Sequence, residues 1–108
     1  MTGSMLSVEM EDTAKGRLLR LAGVIDVHTS DVLAAATADI DVGADEVLLV
    51  DIAKVEFLDS SGLRVLVSLN QRLHAAGGSL RLRDPQPPVA RVLEITGLNE
   101  LLLDESSS

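Results

Sequence analysis

The feature that most limits the fold is an unbroken apolar run, Val47-Leu48-Leu49-Val50, set between Glu46 and Asp51. A strand with one wet face alternates apolar and polar residues. A run without alternation suits a central strand buried on both faces. Helical patterns flank it. Upstream, Val32, Leu33, Ala36 and Ile40 share one helical face, Thr29 or Ser30 can cap the start, Asp31 suits the first turn, and Gly43 follows the end. Downstream, a helix from about Ser61 to Ala76 carries the stripe Leu63, Leu66, Leu69 and Leu73. Its wet side is Arg64, Ser68, Gln71 and Arg72, and Gly77-Gly78 stops it with a left-handed cap.

The remaining segments extend this alternation. Met5–Met10 reads as an edge strand, Asp12–Gly16 as a polar turn, and Arg17–Ala22 as a strand with Leu19 and Leu21 on one face. Gly23-Val24-Ile25-Asp26 leads into a loop, and Val55–Leu58, after the central run stops at Asp51, is a short extended piece leading into Asp59-Ser60-Ser61-Gly62. Ser79–Arg83 alternates, with Leu80 and Leu82 facing inward and Arg81 and Arg83 facing water. Asp84–Pro88 is a turn, and Pro87 or Pro88 begins a helix whose inner face is Val89, Val92 and Leu93 and whose end is Gly97. Leu98–Leu103 is too short to classify, and Met1–Ser4 and Asp104–Ser108 read as loose tails. Two strand-helix-strand units imply parallel pairing with right-handed crossovers. The expected fold is α/β: one domain over 1–108, ordered from about 5 to 103, with a four- to five-stranded mixed sheet and helices packed mainly on one face.

Charge narrows the function. The formal net charge of −8 argues against nucleic acid and against anionic membrane surfaces, but it permits a basic protein partner. There is no cysteine, which excludes disulfides and thiolate catalysis. No apolar run approaches the ~20 residues of a membrane span. No basic segment with an apolar core marks a signal peptide, so a cytoplasmic location is expected. Phe57 is the only aromatic residue, leaving Leu, Val, Ile and Ala to build the core.

The corner Asp59-Ser60-Ser61-Gly62 joins an apolar strand to a helix. A helix start gathers unpaired N–H groups and favours anions. One reading makes Ser60 a simple cap, with Asp59 matched to the dipole. The other makes Ser60 a phosphate acceptor whose phosphate switches a protein contact. One hydroxyl suffices for a cap and two are present. The corner also lies at a strand's carboxyl end, where open α/β sheets tend to place their sites. Gly23-Val24-Ile25-Asp26 is a second such corner, either a plain turn or a carboxylate beside Ser60 if the two strands are neighbours. His28 and His74 lack metal-ligand spacing, so no metal site is expected. Ser60, His28 and Asp26 form a triad only on paper, without a G-x-S-x-G elbow or a recognisable oxyanion loop. No phosphate-cradling glycine motif is present, so no cofactor is expected.

The segment Val47–Arg64, VLLVDIAKVEFLDSSGLR, resembles the signature of STAS domains, in particular bacterial anti-sigma factor antagonists. Gly23-Val24-Ile25-Asp26 with His28-Thr29 is similar to that family's G-E-L-D-x-x-T corner, Gly77-Gly78-Ser79-Leu80 to its G-G-x-L, and Val92–Leu98 to its closing segment. The resemblance covers about Leu18 to Leu102. It implies a protein without catalysis of its own. The unphosphorylated form would bind an anti-sigma factor that is also a serine kinase, freeing a sigma factor. That kinase, using ATP, would phosphorylate Ser60 and end the complex, and a serine phosphatase would restore it. Asp26, Thr29, Asp59, Ser61 and Gly62 match the motif around the acceptor. Val24 replaces the usual Glu, and Arg64 stands where some members have Gly. The resemblance also admits a STAS adaptor or subunit of a transporter-associated or stress-sensing complex, with Ser60 as a structural cap.

Overall fold

The apolar run at Val47 begins a longer strand than its composition suggests. The computed structural model describes residues 6–14 and 16–103. Among them the order is β1 (Leu6–Thr13), β2 (Gly16–Ile25), α1 (Ser30–Thr37), β3 (Val47–Leu58), α2 (Ser60–Ala75), β4 (Ser79–Arg83), α3 (Pro87–Ile95) and α4 (Asn99–Leu102). The tails expected at 1–4 and 104–108, and the Met5 end of the edge strand, lie outside the described residues. The sheet is mixed, in the order β1-β2-β3-β4. β1 runs antiparallel to β2, which pairs in parallel with β3, as β3 does with β4. Leu103 adds an isolated parallel bridge to Leu82.

β3 is one strand, not two pieces. It advances from Asp51 to Lys54 while β2 advances only from Arg20 to Ala22, and from Val55 to Phe57 while β2 moves from Gly23 to Val24. Each mismatch is a bulge carrying one extra residue. Ile52, Val55 and Leu58, three apart, therefore all face the core, and a search for period two misreads them. The groups freed at the first bulge find side-chain partners. Ala53 N donates to Asp51 Oδ1 at 2.9 Å, and Ala53 O accepts from Gln86 Nε2 at 2.9 Å, which ties the start of α3 to β3.

The core lies on one face of the sheet. Leu19, Leu21, Leu48, Val50, Leu80 and Leu82 meet Leu33, Leu63, Leu66, Leu69, Leu73, Val89 and Leu93. Among the described residues the other face carries no helix. The expectation that β3 is buried on both faces is corrected accordingly. Leu49 is half-buried beside Leu18, in a depression lined by Glu11, Arg20 and Arg83, whose aliphatic stems shield apolar surface while their charges reach water. Arg20 pairs with Glu11 at 3.3 Å and Arg83 with Asp51 at 3.8 Å on that face. Arg81 is not simply solvated, because its guanidinium donates to Leu101 O at 3.0 Å and holds α4 against β4.

Two further expectations change. Asp12 lies within β1, paired with Arg17, and β2 continues through Ile25, so the first loop begins later than expected. In α1 the inward residues are Leu33 and Thr37, with Ile40 beyond the helix, while Val32 and Ala36 face solvent. The Thr37 hydroxyl donates to Leu33 O at 2.8 Å, which lets a threonine take the place the apolar pattern assigned to alanine. Arg72 donates to Thr37 O at 2.6 Å and so closes the carboxyl end of α1 from α2.

Candidate functional site

The two corners read from the sequence lie side by side. Ile25 pairs with Leu58, and Asp59 N donates to Ile25 O at 3.1 Å, so β2 and β3 end level with one another. The turn with Asp26 and Thr29 therefore stands next to the start of α2.

At that start neither serine is the cap. Asp59 is extended (φ −112°, ψ −174°), and its Oδ1 accepts from Ser61 N at 2.9 Å and Gly62 N at 3.3 Å. A carboxylate on two otherwise unpaired N–H groups is a strong cap. This corrects the reading of Ser60 as cap. Ser60 opens the helix, is exposed, and makes no side-chain hydrogen bond among the described residues. Ser61 is half-buried beside it. Gly62 is buried, and a Cβ there would lie 2.3 Å from Ile25 Cγ2 and 2.7 Å from Leu58 Cδ1. The helix can approach the strand ends this closely only because Gly62 has no side chain. Arg64 is exposed one turn beyond Ser60, on the same side of the helix, and forms no ion pair among the described residues.

The Asp26 turn is internally braced. Asp26 Oδ1 accepts from His28 N at 2.9 Å and Thr29 N at 3.1 Å. Thr29 is buried, and its hydroxyl donates to Val24 O at 2.7 Å while accepting from Asp26 N at 2.9 Å. Thr29 occupies the N-cap position of α1 without a side-chain cap bond, so the expected cap is instead a strut across the turn. Ser30 Oγ turns back to Val27 O. Ser60 and His28 are not hydrogen-bonded, and the triad drawn on paper is not assembled. Among the described residues no three of His, Cys, Asp and Glu come together as a metal site. No helix among them is long and apolar enough to cross a membrane.

Sequence reasoning passed over the apolar residues beside the corner. Phe57 is 50% exposed and Val27 62% exposed. The signal was available for Phe57, since a strand neighbour of the inward Leu58 must point to the opposite face.

The sequence matches the STAS domain model over residues 7–107. It is 32% identical over 98 residues to an anti-sigma F factor antagonist of Paenibacillus polymyxa, covering 90% of this chain and 84% of that one. It is 30% identical over 98 residues to an anti-sigma-B factor antagonist of Bacillus subtilis (strain 168), covering 90% and 88%. The fold superposes on the anti-sigma factor antagonist SpoIIAA in its unphosphorylated form with a TM-score of 0.73 at 22% identity, over 91% of this chain and 87% of that one. For the Bacillus cell fate determinant SpoIIAA in the phosphorylated form the TM-score is 0.64 at 22% identity, over 91% and 90%.

Proposed function

The chain belongs to the STAS domain family, and from that premise we propose that it is an anti-sigma factor antagonist, a cytoplasmic binding module without catalysis of its own. In this reading the unphosphorylated form binds an anti-sigma factor that is also a serine kinase, and a sigma factor is released. Transfer of phosphate from ATP to Ser60 by that kinase ends the complex. A serine phosphatase reverses it.

The observation that carries the reading is the Ser60 hydroxyl, exposed and uncommitted beside a carboxylate that already caps the helix. Because Asp59 does the capping, modification of Ser60 removes no bond that holds α2. A phosphate adds a charge of about −1.5 to −2. The start of α2 favours that charge, as does Arg64 one turn on, while Asp59 opposes it. The domain therefore tolerates the group with little rearrangement. A partner packed on the corner does not, because phosphate adds bulk and a dianion whose burial without adequate pairing costs several kcal/mol. Each ~1.4 kcal/mol is tenfold in affinity, so the local charge suffices as an off-switch.

Calorimetric titration of the cognate anti-sigma factor tests this. The parent and Ser60→Ala should bind alike, and Ser60→Asp and the authentic phosphoserine form should bind far more weakly. Mass measurement after incubation with that kinase and ATP should show one added phosphate, absent in Ser60→Ala. Equal binding by the phosphoserine form would overturn the switch. Absence of any added phosphate would favour the adaptor reading, in which the corner is structural.

A further inference from the structure

Fully burying an aromatic ring contributes more than most residues can, and a chain with a single ring would be expected to use it in the core. This one does not. Phe57 is 50% exposed, although Leu58 beside it is 2% exposed. In the β2–β3 register Phe57 stands opposite Val24, on the face of the sheet that carries no helix among the described residues. Val27 follows two residues after Ile25, where β2 ends level with β3, and is 62% exposed. Phe57 and the half-buried Val24 thus sit together at the paired strand ends, and the exposed Val27 lies in the turn that follows β2, next to the corner that presents Ser60. Acidic residues flank them along the chain: Asp26 before Val27, Glu56 before Phe57, and Asp59 two residues beyond it.

We propose that Phe57, Val24 and Val27 form the apolar anchor of the partner contact, received by a pocket of a partner protein whose rim carries Lys or Arg. The proposal rests on the corner being a partner-binding site. An exposed aromatic paired with an apolar neighbour and followed and preceded by acidic residues has the composition of an interface hot spot with a charged surround. Charge selects the occupant. A second copy of this chain would set acidic rim against acidic rim, each chain carrying a formal −8, and an anionic bilayer would be repelled likewise. A basic-rimmed protein surface is attracted. Phosphate at Ser60 is partly neutralised within the chain by the start of α2 and Arg64. The partner's basic rim is set against Asp26, Glu56 and Asp59 rather than Ser60, so the phosphate is buried without adequate pairing and its bulk keeps Phe57 from seating in the pocket.

The test is calorimetric titration of the full chain with its cognate anti-sigma factor, alongside thermal melts and sedimentation of the free chain. Phe57→Ala and Val27→Ser should each weaken binding at least about tenfold, the range of an interface hot spot. Ile95→Ala, altering a 74% exposed residue at the far end of α3, should bind within about twofold of the parent. Raised salt should slow association of the parent. Should Phe57→Ala lower the melting temperature enough to unfold the chain, Val27→Ser, on an exposed turn, decides the matter. Parent-like binding by Phe57→Ala and Val27→Ser, with Ser60→Asp still impaired, would overturn the anchor and leave the function standing. If the parent bound no anti-sigma factor, the function and the anchor would fall together. If the variants altered only self-association of the free chain, the occupant would be a second copy and the proposal would be wrong.

Discussion

Replacing Gly62 with alanine tests how closely α2 is seated on the strand ends. The added Cβ would lie 2.3 Å from Ile25 Cγ2, 2.7 Å from Leu58 Cδ1 and 3.2 Å from Ile25 Cβ. Ile25 is 0% and Leu58 2% exposed, and the β-branched Ile25 has little freedom to rotate away. Overpacking a dense core costs about 1–3 kcal/mol, and two contacts this short place the loss near ~3 kcal/mol. Alanine recovers up to ~1 kcal/mol of helix propensity. The net loss is about 2 kcal/mol, or roughly 8 °C in melting temperature for a domain of this size. Urea unfolding followed by far-ultraviolet circular dichroism gives the difference directly. A double-mutant cycle isolates the cause: in an Ile25→Ala background, which removes Cγ2, Gly62→Ala should cost markedly less. Stability within ~0.5 kcal/mol of the parent, or costs that simply add in the double mutant, would refute the argument from close approach.

Other substitutions separate the roles assigned around the corner. Asp59→Ala should lose the cap on Ser61 N and Gly62 N and cost about 1 kcal/mol in urea unfolding, whereas Asp59→Asn keeps an accepting oxygen and should cost less. Thr29→Val removes the hydroxyl's bonds with Asp26 N and Val24 O and should destabilise by about 1–3 kcal/mol, with Thr29→Ser recovering most of it, both read from thermal melts. Asn70 is buried and accepts from Leu80 N at 3.1 Å, so Asn70→Ala should destabilise by a similar ~1–3 kcal/mol and speed amide exchange at Leu80.

Much of this was legible in the sequence where one local rule acted alone. The Leu63, Leu66, Leu69 and Leu73 stripe is buried as its spacing requires, Ser79–Arg83 is a strand, and Gly77 takes a positive φ of 92° to end α2. The corner residues Asp26, Thr29, Asp59, Ser60, Ser61 and Gly62 gather at neighbouring strand ends because Ile25 pairs with Leu58. Where two rules competed, local pattern misled. Asp59 and Ser60 are both good caps by composition, and only the extended backbone at Asp59 shows which one bonds. Val32 matched the α1 stripe, yet Thr37 took an inward place because its hydroxyl could be satisfied within the helix. The bulges in β3 broke the alternation by which strands are read, so one strand was parsed as two pieces.

That unequal stride between β2 and β3 has a consequence for how such a corner can change. From Asp51 to Leu58 one chain takes seven steps, while its neighbour covers the same span from Arg20 to Ile25 in five. The surplus is stored as arch rather than as displacement, since both ends still meet their partners. Dropping one residue from each bulge would restore plain alternation and keep Val55 and Leu58 pointing inward, while flattening the bend that the bulges give the strand. The length of this segment thus bears on how Ser60 is presented, and any change in it must be met where Gly62 sits against Ile25 and Leu58.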